Sequence, residues 1–272
     1  MKLKDIFEEN RHKKFAFIKS RGNYGDHLIY GGAEKLAFEL GIEYQNVKYN
    51  SKINPNHVIY VHGGGGYNSW WGWTGQLLKL IRTLHPDNLL IVGPSTTSLE
   101  LDYLKHTLPK DDDKIIFFAR EMITYDFIRN NFFSNTYHDH DTALLLTKED
   151  SFFKKLTSNI SIENNYSLLA LRQDQEGTPI PEKIRNRKYD IICDPVNCDM
   201  ALLRKMNSFL GITSKKWTSI HLKAKAITTN RTHSAIMGVI AGKEVEIFAN
   251  SYHKNRGMWE YSLKDRGVRW IE

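Results

Sequence analysis

The stretch Phe15-Ala16-Phe17-Ile18, followed by the loop Gly22-Asn23-Tyr24-Gly25-Asp26, is the part of the sequence that decides the fold. Its first four residues are apolar and predict a buried strand. After the loop, apolar residues recur at helical spacing, which predicts a helix over residues 27–40 with Asp26 as its N-cap. A strand, a glycine-containing loop and a helix in this order are typical of a parallel sheet covered by helices.

The same alternation continues along the rest of the chain. Short apolar runs predict strands at residues 58–61, 89–92, 115–118, around Tyr137, and at 166–171, 189–193, 226–229 and 245–248. Amphipathic stretches predict helices at residues 200–210, at 232–241 and from about Lys254 onward. Because strands and helices alternate throughout, the sequence predicts an α/β protein with parallel sheets.

A change of composition divides the chain into two parts. Residues 147–165 are charged and rich in serine and asparagine, and a new strand pattern opens directly afterwards. We therefore expect a first α/β domain over residues 1–148 and a second over 166–272, with the last helix packing back on the first domain. Open parallel sheets bind ligands at the carboxyl ends of their strands, so a cleft between the domains is the expected place for a site.

Composition and charge exclude several classes of protein. The 272 residues carry 38 Lys and Arg against 31 Asp and Glu, a formal charge of +7. These cations are scattered, with one modest cluster at Arg185, Arg187 and Lys188, and this pattern disfavours a nucleic-acid partner. The charged N-terminus, the lack of a long apolar run and the two cysteines favour a cytoplasmic protein without disulfides, with at most peripheral contact with a membrane.

Two predicted strand ends carry loops that suit a sugar. In the first loop, Asn23 and Asp26 lie at the start of a helix whose free N–H groups can meet a ligand, although a plain tight turn explains the loop as well. The second loop contains four consecutive glycines, Gly63 to Gly66, and is followed by Tyr67 and by three tryptophans, Trp70, Trp71 and Trp73. Aromatic faces can pack on the apolar face of a sugar while backbone amides meet its hydroxyls.

A third predicted strand end carries the sharpest signal. Arg231-Thr232-His233 stands where a strand runs into a helix, and Arg172 ends the strand that opens the second domain. A helix N-terminus, two guanidinium groups and an imidazole together suit a small, highly charged anion. The alternative is that both arginines pair with surface carboxylates, which is the common fate of an arginine.

With these segments in view, the chain resembles the polysaccharide pyruvyl transferase family. The resemblance covers nearly the whole chain in the family's order and rests on six segments: Gly22 to Asp26, Val61 to Gly66, Ala119-Arg120-Glu121, Asp141-Thr142-Ala143, Arg231-Thr232-His233 and Tyr252-His253-Lys254. It implies two Rossmann-like domains in a glycosyltransferase-B-like arrangement. It also implies transfer of pyruvate from phosphoenolpyruvate to a sugar as a ketal, with no further cofactor.

The resemblance also implies a donor-binding set. Arg231 and His233 match the family's Arg-Leu-His motif, with Thr232 in place of the usual leucine, and Arg172 matches its second-domain donor arginine. We add Lys254 to this set because it is a cation that opens the last predicted helix. A phosphate and a carboxylate need several cations a few ångströms apart, and a histidine near neutral pKa suits proton transfer.

Catalytic and acceptor roles follow from the same assignment. The expected catalytic residues are His233 as proton donor, Arg231 as stabiliser of the leaving phosphate and Asp26 as base for the sugar hydroxyl. The acceptor, either an oligosaccharide or a lipid-linked sugar at the inner face of the membrane, is expected to meet a set of loop residues, namely Asn23, Asp26, Gly64, Gly65, Tyr67 and Trp71.

Two further groups of residues are assigned structural roles. His138 and His140 would share one face of a strand while Asp139 and Asp141 share the other, so a metal site is disfavoured and Asp141 is expected to be a hydrogen-bonded residue at a strand end. For Arg120 and Glu121, an ion pair between the domains is favoured over acceptor binding.

Two other functions remain open at this stage. One is a glycosyltransferase that uses a nucleotide sugar on a similar two-domain scaffold. The other is a catalytically inactive carbohydrate-binding protein that uses Trp70, Trp71 and Trp73 alone. A nucleoside diphosphate that stabilises the protein when phosphoenolpyruvate does not would favour the first alternative.

Overall fold

The computed structural model describes residues 1–20, 22–151, 153, 154, 165–193 and 212–272, and the side chains of 212–216 are left aside. These residues form two compact units. One unit comprises Met1–Gly22 and Ile29–Leu145, and the other comprises Asn23–Leu28 and Leu146–Glu272. The short segment after the first strand therefore belongs with the second half of the chain.

A six-stranded parallel sheet forms the centre of the first unit, in the strand order β2-β1-β3-β4-β5-β6. Its strands are β1 (Phe15–Ile18), β2 (Tyr44–Val47), β3 (Val58–Val61), β4 (Leu90–Ser95), β5 (Ile115–Ala119) and β6 (Thr136–His138). The accompanying helices are α1 (Leu3–Glu9), α2 (Asp26–Glu39), α3 (Trp73–Leu84), α4 (Leu101–Thr107) and α5 (Met122–Asn131), with a 3₁₀ turn at Thr142–Leu145.

The side chains of β1 alternate between two apolar clusters, one on each face of the sheet. Phe15 and Phe17 pack in one apolar cluster, whereas Ala16 and Ile18 pack in another on the opposite side. All four side chains are buried. The strand is therefore uniformly apolar, as expected where helices cover both faces of a parallel sheet.

A five-stranded parallel sheet forms the second unit, in the order β11-β10-β9-β7-β8. Its strands are β7 (Tyr166–Ala170), β8 (Ile191–Cys193), β9 (Ala224–Thr229), β10 (Glu244–Phe248) and β11 (Arg269–Ile271). Its helices are α6 (Glu182–Arg185), α7 (Ile212–Leu222), α8 (Thr232–Ile240) and α9 (Lys254–Met258), and α9 continues through a π-helical turn at Trp259–Leu263 and a 3₁₀ turn at Lys264–Arg266.

The predicted α/β class with parallel sheets is confirmed. The strands Phe15–Ile18 and Val58–Val61 coincide with the predicted ones, and helix α8 ends one residue early. The helix predicted at residues 200–210 lies outside the described residues. Helix α2 begins at Asp26 itself, so this residue lies in the first turn and is not the N-cap. In the part of the chain that the structure describes, no helix is long and apolar enough to cross a bilayer.

Candidate active site

The junction of β9 and α8 forms the centre of the candidate site in the second unit. Strand β9 ends at Thr229, and α8 begins at Thr232 with Arg231 as its N-cap residue. The Thr232 hydroxyl donates a hydrogen bond to the side-chain oxygen of Asn255, 2.7 Å away, which fixes the start of the helix. The first N–H groups of α8 and its dipole therefore favour a negative charge at this point.

Arg172, two residues after β7, binds two carboxylates of its own loop. Its Nε lies 2.7 Å and its Nη2 3.0 Å from the two carboxylate oxygens of Asp174, a bidentate pair. Its Nη1 donates to Glu176 over 2.7 Å. Arginine carries five N–H donors, so these bonds use three of them and leave two for other partners.

Two further cations join the same carboxylates. The Arg231 guanidinium lies 3.6 Å from Asp174, and the Lys254 ammonium is hydrogen-bonded to the Glu176 oxygen that also accepts from Arg172. Of these side chains, Asp174 is the most exposed, at 22%. We call Arg172, Arg231, Lys254, Asp174 and Glu176 the cation cluster. Counted over the described residues named here, it holds three cations and two carboxylates.

Electrostatics favour the ionised forms of Asp174 and Arg172. Burial alone would raise the pKa of Asp174, but the hydrogen bonds and charge of Arg172 outweigh burial and hold that pKa below its usual value. Burial likewise disfavours the charged form of Arg172, but Asp174 and Glu176 raise the pKa of the guanidinium. Arg172 and Asp174 therefore both carry their charges at neutral pH.

Two asparagines hold the strand ends of the cluster together. The Asn255 amide nitrogen donates to the backbone oxygens of Asn230 and Phe248, 2.8 and 2.9 Å away. The Asn230 side-chain oxygen accepts from the backbone N–H of Arg172 over 2.6 Å. Since these residues follow β7, β9 and β10, the bonds fix three neighbouring strand ends and so position Arg172, Arg231 and Lys254.

His233, in the first turn of α8, faces Asp26. Its Nδ1 lies 3.7 Å from Asp26 Oδ1, and both side chains are nearly buried. The other oxygen of Asp26 accepts from the backbone N–H of Asn23 over 2.6 Å, and the Asn23 side chain accepts from Gly25 N–H. The carboxylate of Asp26 is therefore oriented toward the imidazole by its own loop.

Gly25 makes this approach possible. A Cβ atom at this position would lie 2.3 Å from the Cβ of His233, far inside van der Waals contact. Because a glycine stands there, the segment Asn23–Leu28 lies directly against the start of α8. The sequence analysis assigned Asp26 to the first domain; by its contacts this segment belongs with the second unit.

The sequence model of the family described as "Polysaccharide pyruvyl transferase" matches residues 23–252, which include Asp26, His233 and every residue of the cation cluster except Lys254. The chain belongs to this family. Membership supports a role in pyruvyl transfer.

Two relatives extend the comparison of this family member. A protein of Bacillus subtilis (strain 168) named "Putative pyruvyl transferase EpsO" is 21% identical, and the match covers 93% of this chain and 86% of that protein. The crystal structure of protein KP1_0663 of Klebsiella pneumoniae subsp. pneumoniae NTUH-K2044, described as uncharacterized, has a TM-score of 0.71 and 21% identity. That match covers 99% of this chain and 96% of the other, and it shows a shared fold.

In this pyruvyl transferase family member, the glycine loop predicted to bind the acceptor lies in the first unit. It follows β3, and Gly64 accepts a backbone hydrogen bond from Thr96. Trp71 is 47% exposed, as a sugar-binding ring must be. The ring of Tyr67 is completely buried and packs edge-on against Phe117, so it belongs to the core and is not presented to an acceptor.

The predicted ion pair of Arg120 lies within one unit. Its partner is Asp141, 2.5 Å away, and both residues belong to the first unit, so the expectation of an interdomain pair is wrong. Glu121 is the N-cap of α5 and accepts from the backbone N–H of Thr124. Asp141 is the hydrogen-bonded residue at a strand end that the sequence predicted, and its second oxygen accepts from Ala143 N–H.

Sequence reasoning missed the acidic half of the cation cluster. Asp174 and Glu176 follow Arg172 by two and four residues in a loop, where carboxylates ordinarily suggest only solvent exposure. Asn230 and Asn255 were also missed. A usable signal was the alternation of charge in Arg172-Gln173-Asp174-Gln175-Glu176, directly after an apolar strand.

Proposed function

We propose that this protein transfers the pyruvyl group of phosphoenolpyruvate to two hydroxyls of a sugar in a polysaccharide precursor, forming a ketal and releasing phosphate. The observation that carries the proposal is the convergence of Arg172, Arg231 and Lys254 near the N-terminus of α8, in the same unit as the His233–Asp26 pair. The reaction uses phosphoenolpyruvate as a substrate and needs no further cofactor.

The donor carries a phosphate and a carboxylate, which suit the cation cluster. Arg231 lies at the N-terminus of α8, so a phosphate there would meet its guanidinium, the free N–H groups and the helix dipole. Lys254 and the two remaining N–H donors of Arg172 would hold the carboxylate. Thr232 contributes its backbone N–H, so a threonine can stand where the family has leucine.

His233 and Asp26 are proposed to move the protons. Protonation of C3 of the enol by His233 makes C2 electrophilic, and the first sugar hydroxyl then forms a bond to C2 while Asp26 takes its proton. The C2–O bond to phosphate breaks, and its electron pair leaves with the phosphate, which Arg231 stabilises. The second hydroxyl adds to C2 and loses its proton, which completes the ketal.

The acceptor is proposed to be a sugar residue of an oligosaccharide or a lipid-linked intermediate. Gly64, Gly65 and Trp71 of the first unit remain proposed acceptor residues, together with Asn23 and Asp26. The reaction would take place in the cytoplasm, at the inner face of the membrane if the acceptor is lipid-linked.

The test is phosphate release from phosphoenolpyruvate in the presence of a panel of sugar acceptors. His233→Ala is expected to lower turnover at saturating donor by about 10²- to 10⁴-fold, the usual contribution of a positioned acid. Asp26→Asn is expected to lower turnover while donor binding persists. His12→Ala, an exposed histidine with no described side-chain contact, is the matched control and should leave turnover unchanged.

Two results would contradict the proposal. Unchanged turnover in His233→Ala would remove the histidine from the chemistry. A wild-type protein that is stabilised by a nucleoside diphosphate but by neither phosphoenolpyruvate nor phosphate would instead favour the glycosyltransferase alternative.

A further inference from the structure

The first unit contains a cavity, and none of the residues that line it belongs to the cation cluster. Its volume is about 410 Å³, within the range of roughly 300–1,000 Å³ that small-ligand sites occupy. Lys19 directly follows β1, and Lys48 and Tyr49 directly follow β2, so the cavity opens at the carboxyl ends of two parallel strands. Ligands of open parallel sheets bind at this edge.

Two aromatic rings form one wall of the cavity. The ring centroids of Tyr49 and Trp73 are 5.9 Å apart and the planes meet at 75°, an edge-to-face pair. Both rings pack against the apolar core of the first unit and are only partly buried. The wall is therefore held in place from behind while part of each ring faces the cavity, as a platform for the C–H face of a sugar requires.

Polar side chains also line the cavity, namely Asn46, Lys19 and Lys48. The Asn46 amide nitrogen donates to Glu34 over 3.1 Å, which fixes the amide and leaves its oxygen as an acceptor. Lys19 also pairs with Glu34, at 2.9 Å, so Glu34 offsets the charge of Lys19. Lys48 is exposed, and none of the described residues forms an ion pair with it.

We propose that this cavity binds a sugar residue that carries a carboxylate or phosphate group. The apolar face of the sugar packs on Tyr49 and Trp73, a hydroxyl donates to the Asn46 oxygen, and the acidic group pairs with Lys48. The proposal concerns binding alone and holds whether or not the cation cluster performs pyruvyl transfer. Within the proposed function, the cavity would hold an acidic residue of the acceptor glycan.

The test is a titration of the full chain with small probes, followed by ligand-observed NMR. The probes are methyl glucuronide, glucose 1-phosphate, the neutral methyl glucoside and uridine monophosphate. We expect both acidic sugars to bind at least tenfold more tightly than methyl glucoside, and the protons of their apolar face to receive the most saturation from the protein.

The variants locate the binding. Lys48→Glu is expected to weaken binding of both acidic sugars at least tenfold, and Tyr49→Ala to weaken all sugars. Lys105→Glu makes the same charge change at another exposed lysine of the first unit and should alter affinity less than twofold. Arg231→Ala should leave the affinity for methyl glucuronide, the probe without phosphate, unchanged, which separates this cavity from the cation cluster.

Three outcomes would overturn the proposal. Equal affinity in Lys48→Glu and the wild type would remove the acidic group from this cavity, whatever becomes of Tyr49→Ala. Loss of methyl glucuronide binding in Arg231→Ala would place the sugars in the cation cluster. Uridine monophosphate binding tenfold more tightly than both acidic sugars would make this a nucleotide site.

Discussion

Arg120 and Arg172 carry the same signal in the sequence and have opposite surroundings in the structure. Each follows an apolar strand, β5 or β7; Arg172 was expected to bind the donor, whereas for Arg120 an ion pair was favoured over acceptor binding. Arg120 is 1% exposed and pairs with one carboxylate, Asp141, which is fully buried. Arg172 shares two carboxylates with two other cations, Arg231 and Lys254.

The difference is one of charge balance. The Arg120–Asp141 pair is neutral; Arg120 Nε also donates to the Thr96 hydroxyl, and the second Asp141 oxygen accepts from Ala143 N–H. Such a pair holds loops together and has no charge left for a ligand. The cation cluster, counted over its named residues, holds three cations and two carboxylates and partly exposes Asp174. An arginine at a strand end therefore indicates a ligand site only when the carboxylates that pair with it do not balance the positive charge around it.

The largest expected effect comes from removing the charge of the closed pair. Asp141→Asn leaves the Arg120 guanidinium buried without a counter-charge, so we expect a loss of about 3–5 kcal/mol in the free energy of unfolding. Urea denaturation measures this loss. Asp113→Asn, an exposed aspartate of the same unit, is the control and should change stability by less than about 0.5 kcal/mol.

Added phosphate makes this experiment a test of the comparison. Because the Arg120 side chain is only 1% exposed, phosphate should not reach it and should stabilise Asp141→Asn no more than it stabilises the wild type. If phosphate restored the stability of Asp141→Asn, Arg120 would also bind anions. The contrast between the two arginines would then fail.

A smaller loss, with the opposite response to phosphate, is expected in the cation cluster. Glu176→Gln removes the carboxylate that Arg172 and Lys254 share, and losing a hydrogen bond to a charged group costs about 1.5–3 kcal/mol. The cluster then has one carboxylate fewer for its three cations, so phosphate should bind more tightly. Thermal unfolding with increasing phosphate should therefore show a larger rise in Tm in Glu176→Gln than in the wild type.

Glu244→Gln, at an exposed glutamate of the same unit, should show the phosphate response of the wild type. If phosphate raised the Tm of Glu176→Gln no more than that of the wild type, the cluster would be as closed as the Arg120 pair. The comparison would then reduce to two structural ion pairs.

The smallest effect, taken per pH unit, concerns a buried histidine of the second unit. Burial lowers the pKa of His221 to about 4 from an ordinary value of 6.5, against the opposing effect of its hydrogen bond to Trp217 O. As pH falls below 6.5 the unfolded chain takes up a proton that the folded chain refuses until about pH 4. His221 should therefore cost about 1.4 kcal/mol of stability per pH unit in this window and nothing above it.

Urea denaturation between pH 7 and pH 4 measures this slope. His221→Gln removes the titrating group, so its stability should fall less steeply than that of the wild type. Parallel curves for the two proteins would show that His221 takes up its proton equally in both states.

Much of the fold could be predicted because the local pattern agrees with the packing. β1 and β3 are apolar on both faces, and such short runs ended by polar residues or glycines have few other uses. The sequence analysis did not predict the edge strands β2 and β11. Strand β2 is largely exposed and β11 has only three residues, so neither shows an apolar pattern.

The candidate site could be predicted only in part. Arg172, Arg231 and Lys254 could be found because they stand at strand ends or helix starts, which topology brings to one edge of a sheet. Their pairing with Asp174 and Glu176 depends on how one loop folds back, which no spacing reveals. The prediction that Tyr67 meets the acceptor was wrong for a related reason. Its place after a glycine loop suggests exposure, but its ring packs on Phe117.

The closeness of Gly25 and His233 links two parts of the sequence that must change together during evolution. Any side chain larger than hydrogen at position 25 would collide with the first turn of α8. Among relatives, a substitution of this glycine should therefore occur together with a smaller residue at position 233 or a shifted start of the helix. A glycine in one half of the gene thus carries information about the histidine in the other half.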